Sequence, residues 1–181
     1  MSTGQGPTVE GFDQTEAGFA GTGFAGVAAV ADIESCCALA QRVLIAEGVT
    51  SGQLDLILVD AADMAELNEM HMGHEGPTDV LSFPMDADEI ALMMGDQIAA
   101  DQPPGHGPPL HLGDVVLCPS VAERQAPDHC GSIEAELSLL IIHGVLHILG
   151  HDHAEPEETM LMQARERLHL AECGFDHPVP R

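Results

Sequence analysis

The sequence predicts a small β-sheet layered with helices. Short apolar runs of strand character alternate with longer segments at helical spacing, and a 181-residue chain without internal repeats suits one domain. Aromatics make up only 3% of the chain and Trp and Tyr are absent, so Leu, Ile, Val, Met and Ala must fill the core.

Residues 1–27 are rich in Gly, Thr, Gln and acids and are expected to be a flexible segment, with a short strand near Val9–Phe12 as the alternative. One domain is expected over 28–176, followed by a tail at 177–181. Ala28–Glu47 reads as a helix, because Ile33, Cys37, Ala40 and Leu44 share a face and Gly48 ends it. Leu54–Val59 is a buried strand. Asp60 or Asp63 would cap a short helix through Met70. Thr78–Phe83 is a second strand closed by Pro84. Residues 86–111 form a long loop, with four prolines and two glycines in Asp101–Pro109. Gly113–Cys118 is a third strand, and Pro119 opens a helix through Gln125. Ser132, with Glu134 and Glu136 behind it, opens a longer helix to Leu149, where Gly150 stops it. A last helix runs from Pro156 to Cys173.

Thirty acids stand against five arginines and no lysine, for a formal net charge of -25. A basic footprint for nucleic acid is absent, an aromatic platform for stacking bases is nearly excluded, and an anionic membrane would repel the chain. The five cysteines are odd in number and form no C-x-x-C, so neither a disulfide framework nor a cysteine zinc site is indicated. Reduced thiols, and no visible signal peptide, fit a cytoplasmic protein. The longest strongly apolar run, Leu137–Leu149, is too short to span a bilayer.

The chemistry is concentrated in His143–His153. His143 and His147, four apart, lie on one helix face and can reach one ion. Gly150 then breaks the helix, so the returning chain can offer His153 as a third ligand. His151 would share the face of His147 only if the helix continued, and is read as a neighbour. Three nitrogen ligands with an open fourth position mark a catalytic metal site. All-imidazole ligation suits Zn, Cu, Fe or Ni, and one Zn2+ per chain is the only cofactor expected. The spacing matches the H-E-x-x-H-x-x-G-x-x-H peptidase pattern except that its Glu is Gly144 here, which removes the proton acceptor of that chemistry. Three neutral ligands leave the charge of a dication uncompensated, which suits an anionic substrate such as a phosphodiester. The other histidines (His71, His74, His106, His111, His129, His169 and His177) read as surface residues.

With Pro77–Pro84 and Leu112–Pro119, this histidine segment resembles the YbeY family of ribosomal RNA maturation factors; the resemblance covers Leu54 to Leu168. It implies an α+β fold with a small mixed sheet, the metal site lying on a long central helix and the turn after it, and His143, His147 and His153 as ligands. It also implies a zinc-dependent, single-strand-specific endoribonuclease that acts in 16S rRNA 3′-end maturation and quality control of late 30S subunits. Single-stranded rRNA and the small ribosomal subunit with its proteins would be the partners, with no membrane involved. Three departures stand out: Met72 takes the place of a common Arg, His151 takes the place of a Tyr, and the family's amino-terminal strand is hard to see. Asp79 and Asp114 lie in the other two motifs and, like Asp152 beside His153, are candidates to accept the second N–H of a ligating imidazole. Two further readings stand beside the nuclease: a metal-binding ribosome assembly factor that does not cut, and, more weakly, a metallopeptidase.

Overall fold

The computed structural model describes residues 6–16, 32–85 and 110–178. Almost all of the long loop expected at 86–111 lies outside the described residues, as do much of the amino-terminal segment and the end of the tail.

Four strands form one mixed sheet: β1 (Thr8–Asp13), β2 (Gln53–Leu58), β3 (Val80–Pro84) and β4 (His111–Leu117), in the order β1-β2-β4-β3. β1 and β4 run parallel to β2, and β3 is antiparallel to β4. Among the described residues five α-helices surround it: α1 (Ile33–Ala46), α2 (Ala61–Met72), α3 (Pro119–Gln125), α4 (Ile133–Ile148) and α5 (Pro156–Glu172), with a short 3-10 helix at Ala126–Asp128. The fold is α+β.

β1 is the strand that the sequence offered only as an alternative, near Val9–Phe12. Only Val9 and Phe12 of TVEGFD are large and apolar, and Phe12 is 40% exposed, so local pattern is weak. Six residues nevertheless pair in unbroken register with β2, from Thr8↔Gln53 to Asp13↔Leu58. Residues 8–13 are therefore ordered strand within the segment expected to be flexible. α1 begins at Ile33 rather than Ala28, because Asp32 and Ser35 form a reciprocal capping box: each side chain accepts from the other's backbone N–H. At the start of α2 the Asp60 carboxylate does not cap the helix; it accepts from the Glu16 backbone N–H and ties the end of β1 to that corner.

β2 is buried on one face only. Leu54, Leu56 and Leu58 point into the core while Gln53, Asp55 and Ile57 are half-covered. The main core lies between that face and α1, α4 and α5. A smaller cluster under α2 joins Met64 to Leu81, Val116 and Val121. α4 is enclosed on nearly all sides, with twelve of its sixteen residues buried, which places whatever it carries firmly. Among the described residues no single helix is long and apolar enough to cross a membrane.

Candidate metal centre

α4 is built to deliver two histidines. Ser132 accepts from the Ala135 N–H and Glu134 and Glu136 sit in the first turn, where the helix dipole favours acids. At the other end Gly150 takes φ +86°. Its N–H reaches the His147 carbonyl, and the His151 N–H reaches the Leu146 carbonyl, the paired bonds of a Schellman turn. That turn reverses the chain two residues before His153. The Asp152 carboxylate then accepts the His153 backbone N–H at 2.7 Å.

The result is convergence. His143, His147 and His153 place one ring nitrogen each within 4.8 Å of the others. The Nε2 atoms of His143 and His147 are 3.1 Å apart, and the ring centroids are separated by 4.6, 5.0 and 5.7 Å. A tetrahedral cation with metal–nitrogen bonds of about 2.0–2.1 Å needs ligand atoms roughly 3.3 Å apart, so the donor set suits one such ion. Burial, and then the neighbouring His143 and His153, hold the His147 imidazole below its ordinary pKa, against the opposing pull of Asp152. That shift favours the neutral ring, the form that binds a cation. His151 turns elsewhere, toward Glu47 at 4.0 Å.

The hydrogen bonds of the three aspartates go to groups other than the rings of His143, His147 and His153. Asp79 accepts from the Thr78 hydroxyl and the Val80 N–H, which fastens the start of β3. Asp114 accepts from His111 Nε2 at 2.9 Å. Asp152 holds the backbone of His153 rather than its ring. Of the three, Asp79 lines the cavity of about 780 Å³ that His143 and His153 also line.

The acceptor for the second nitrogen of His143 is Glu166 on α5, at 2.7 Å. Glu166 is 5% exposed, and its other oxygen accepts from His177 Nε2 at 2.8 Å. Burial pushes its carboxyl up, but the hydrogen bonds and charge of His143 and His177 outweigh that and hold it below the usual range. His177, expected in the tail, is thus folded onto the site. His169, expected at the surface, is buried at 2% exposure and bonded to Glu47 at 2.6 Å. One signal in the sequence could have found Glu166: it follows Met162 and precedes Leu170 by four residues each, a carboxylate on the buried stripe of its own helix.

Gly144 also has a physical reason. A Cβ there would lie 2.7 Å from Val115 Cγ1 and 3.2 Å from Ser82 Oγ, because α4 rests directly on β3 and β4. Ser82 donates to the Gly144 carbonyl across this seam at 3.4 Å. Met72, where the family pattern carries Arg, is 51% exposed at the end of α2 and does not line the cavity.

Comparison with known proteins identifies the family. The family model described as "Endoribonuclease YbeY" matches residues 28–174. A Salinispora tropica protein named endoribonuclease YbeY is 48% identical over 141 residues, covering 77% of this chain and 87% of its own length. Namesakes from Mycolicibacterium smegmatis and Frankia casuarinae are each 48% identical over 126 residues, and the match spans 66% and 59% of their lengths. The solution structure of TM1509 from Thermotoga maritima shares the fold, with a TM-score of 0.52, 22% identity, and coverage of 91% of this chain and 89% of that one. The match over most of the chain places it in the endoribonuclease YbeY family, whose members are hydrolases that cut RNA.

Proposed function

We propose that the chain is a zinc-dependent endoribonuclease specific for single strands, acting in 16S rRNA 3′-end maturation and in quality control of late 30S subunits. The observation that carries this reading is the convergence of three imidazoles, one of them anchored by a buried carboxylate, beside a cavity in a member of this family. His143, His147 and His153 would hold the ion. When bound, a zinc ion lowers the pKa of a water and offsets the charge of a phosphodiester.

The chain's own residues prepare that chemistry. Glu166 keeps a proton on Nδ1 of His143, which leaves Nε2 as the free donor. Asp152 steadies the turn that presents His153. Asp79 lines the cavity together with Glu166, and its carboxylate would take a proton from a water entering there. The strongly acidic chain would meet its RNA in the cytoplasm on the small ribosomal subunit, with ribosomal proteins supplying the attraction that its own surface lacks.

The test is a paired measurement on one sample: elemental analysis and cleavage of a single-stranded RNA. His147→Ala is expected to lose the ion held by the histidines and to cut at least a hundredfold more slowly, as is chelator-treated protein. Cutting at the native rate by metal-stripped protein would overturn the proposal.

A non-cutting assembly factor is the second reading, favoured by Met72, which offers phosphate no donor in the position of the family's Arg. A native protein that keeps its ion and leaves RNA intact would select it. Peptidase chemistry of the H-E-x-x-H kind lacks its acid, and the contact of Gly144 with Val115 leaves no room for one.

A further inference from the structure

A second group of ligands stands at the opposite end of α4. His129 and Cys130 lie in the turn between α3 and α4, and Glu136 on the first turns of α4 reaches back to them. His129 Nδ1 is 2.9 and 3.0 Å from the two Glu136 oxygens, and Cys130 Sγ is 3.7 Å from the same nitrogen. One ligand atom from each residue lies within 4.8 Å of the other two. Glu136 is 1% exposed, a carboxylate removed from water, and it also accepts the Cys130 backbone N–H at 3.3 Å.

We propose that His129, Cys130 and Glu136 form a second metal site, selective for a thiophilic divalent cation such as zinc. The spacing supports this. Zinc bonds of about 2.0–2.1 Å to nitrogen or oxygen and about 2.3 Å to sulfur put tetrahedral ligands roughly 3.3–3.6 Å apart, so movements of a few tenths of an ångström enclose an ion. The chemistry supports it as well. One sulfur, one imidazole nitrogen and one carboxylate oxygen are all accepted by zinc, whereas magnesium and calcium reject the sulfur. His129 is half-exposed, so an ion and a water could reach the group from solvent.

Protons balance simply. The ion replaces the thiol proton of Cys130, which leaves to solvent, and the proton between His129 Nδ1 and Glu136 moves to Nε2 of the same ring. Without an ion, burial and then Glu136 push the Cys130 thiol up to about 12, so the sulfur stays protonated and quiet. His129 also lines the cavity that His143 and His153 line. An ion there would add positive charge to the wall of that cavity, in a chain without lysine. The single zinc per chain expected from the sequence counts only the trihistidine site.

Cobalt distinguishes the two sites, because only this one contains sulfur. The full-length protein is stripped with chelator and titrated with Co2+ under reducing conditions. The wild type is expected to bind a second cobalt and to develop a near-ultraviolet thiolate-to-cobalt charge-transfer band. Cys130→Ser should lose that band and one ion while keeping the visible absorption of cobalt on the three histidines, which also reports that the variant is folded. His147→Ala should keep the band and lose the other ion. His129→Ala, altering a half-exposed ring, should weaken the thiolate site at least tenfold. A wild type without the band, or a band unchanged in Cys130→Ser, would overturn the proposal, and neither result touches the trihistidine reading.

Discussion

The His143 ring is held from both sides, with Nε2 facing His147 and Nδ1 donating to Glu166. A ligating imidazole gains basicity and a defined tautomer from such an acceptor, and losing one typically weakens metal binding about 10–100-fold. Glu166→Gln keeps the shape and removes the charge. Its zinc Kd, read by competition with a chromophoric chelator, is expected to rise about tenfold, and unchanged affinity would reduce Glu166 to a packing residue. The three histidines were legible in the sequence because eleven consecutive residues hold them and helical geometry alone brings the first two together. Glu166 was not, because it lies 23 positions from His143 and only the packing of α5 on α4 brings it close. Asp79 and Asp114 were plausible partners by motif, yet each has a backbone or neighbouring side chain nearer to hand. Local hydrogen bonds of this kind are invisible when a carboxylate is judged by its motif.

At the scale of the element, α4 shows how packing overrides propensity. An exposed glycine inside a helix is worth replacing, since Ala gains about 1 kcal/mol in helix propensity. Gly144 is not exposed: the added methyl would meet Val115, a branched side chain with little freedom to turn away. Overpacking of that kind costs about 1–3 kcal/mol. Gly144→Ala is therefore expected to lower stability by about 1 kcal/mol in urea denaturation; a stabilised variant would show that the seam between α4 and the sheet yields easily. Element positions were largely legible, and their ends less so. α3, α4 and α5 start where Pro119, Ser132 and Pro156 predict, because starts are local chemistry. α1 started late because its capping box lies further along than the apolar pattern suggested. The bounds of β3 and β4 moved by one or two residues, since strand limits follow from partners on another segment.

For the whole molecule, charge is the governing term. A protein that neutralises phosphates with Lys and Arg loses affinity as salt rises, because it no longer profits from releasing counterions. Here the formal charge is -25, and the four described arginines are dispersed: Arg42 donates to the Cys173 sulfur, Arg124 sits in the last turn of α3, Arg165 pairs with Glu47 and Arg167 donates to Gln163. The expected outcome is that KM for a short single-stranded RNA stays level or falls between about 50 and 200 mM salt, since screening relieves repulsion. A KM that climbs steeply over that range would reveal a concentrated cationic surface. The sequence made this argument available in full, because net charge needs no coordinates.

The family match opens at residue 28, whereas the sheet opens at Thr8. A protein trimmed to the matched region would lack its outermost strand and lay bare one side of β2, a row of amide and carbonyl groups next to Leu54, Leu56 and Leu58. Such a raw border invites a foreign strand to zip onto it. Residues 8–13 thus shield that border of β2 from a second copy of the chain, a duty quite apart from anything that happens at the histidines.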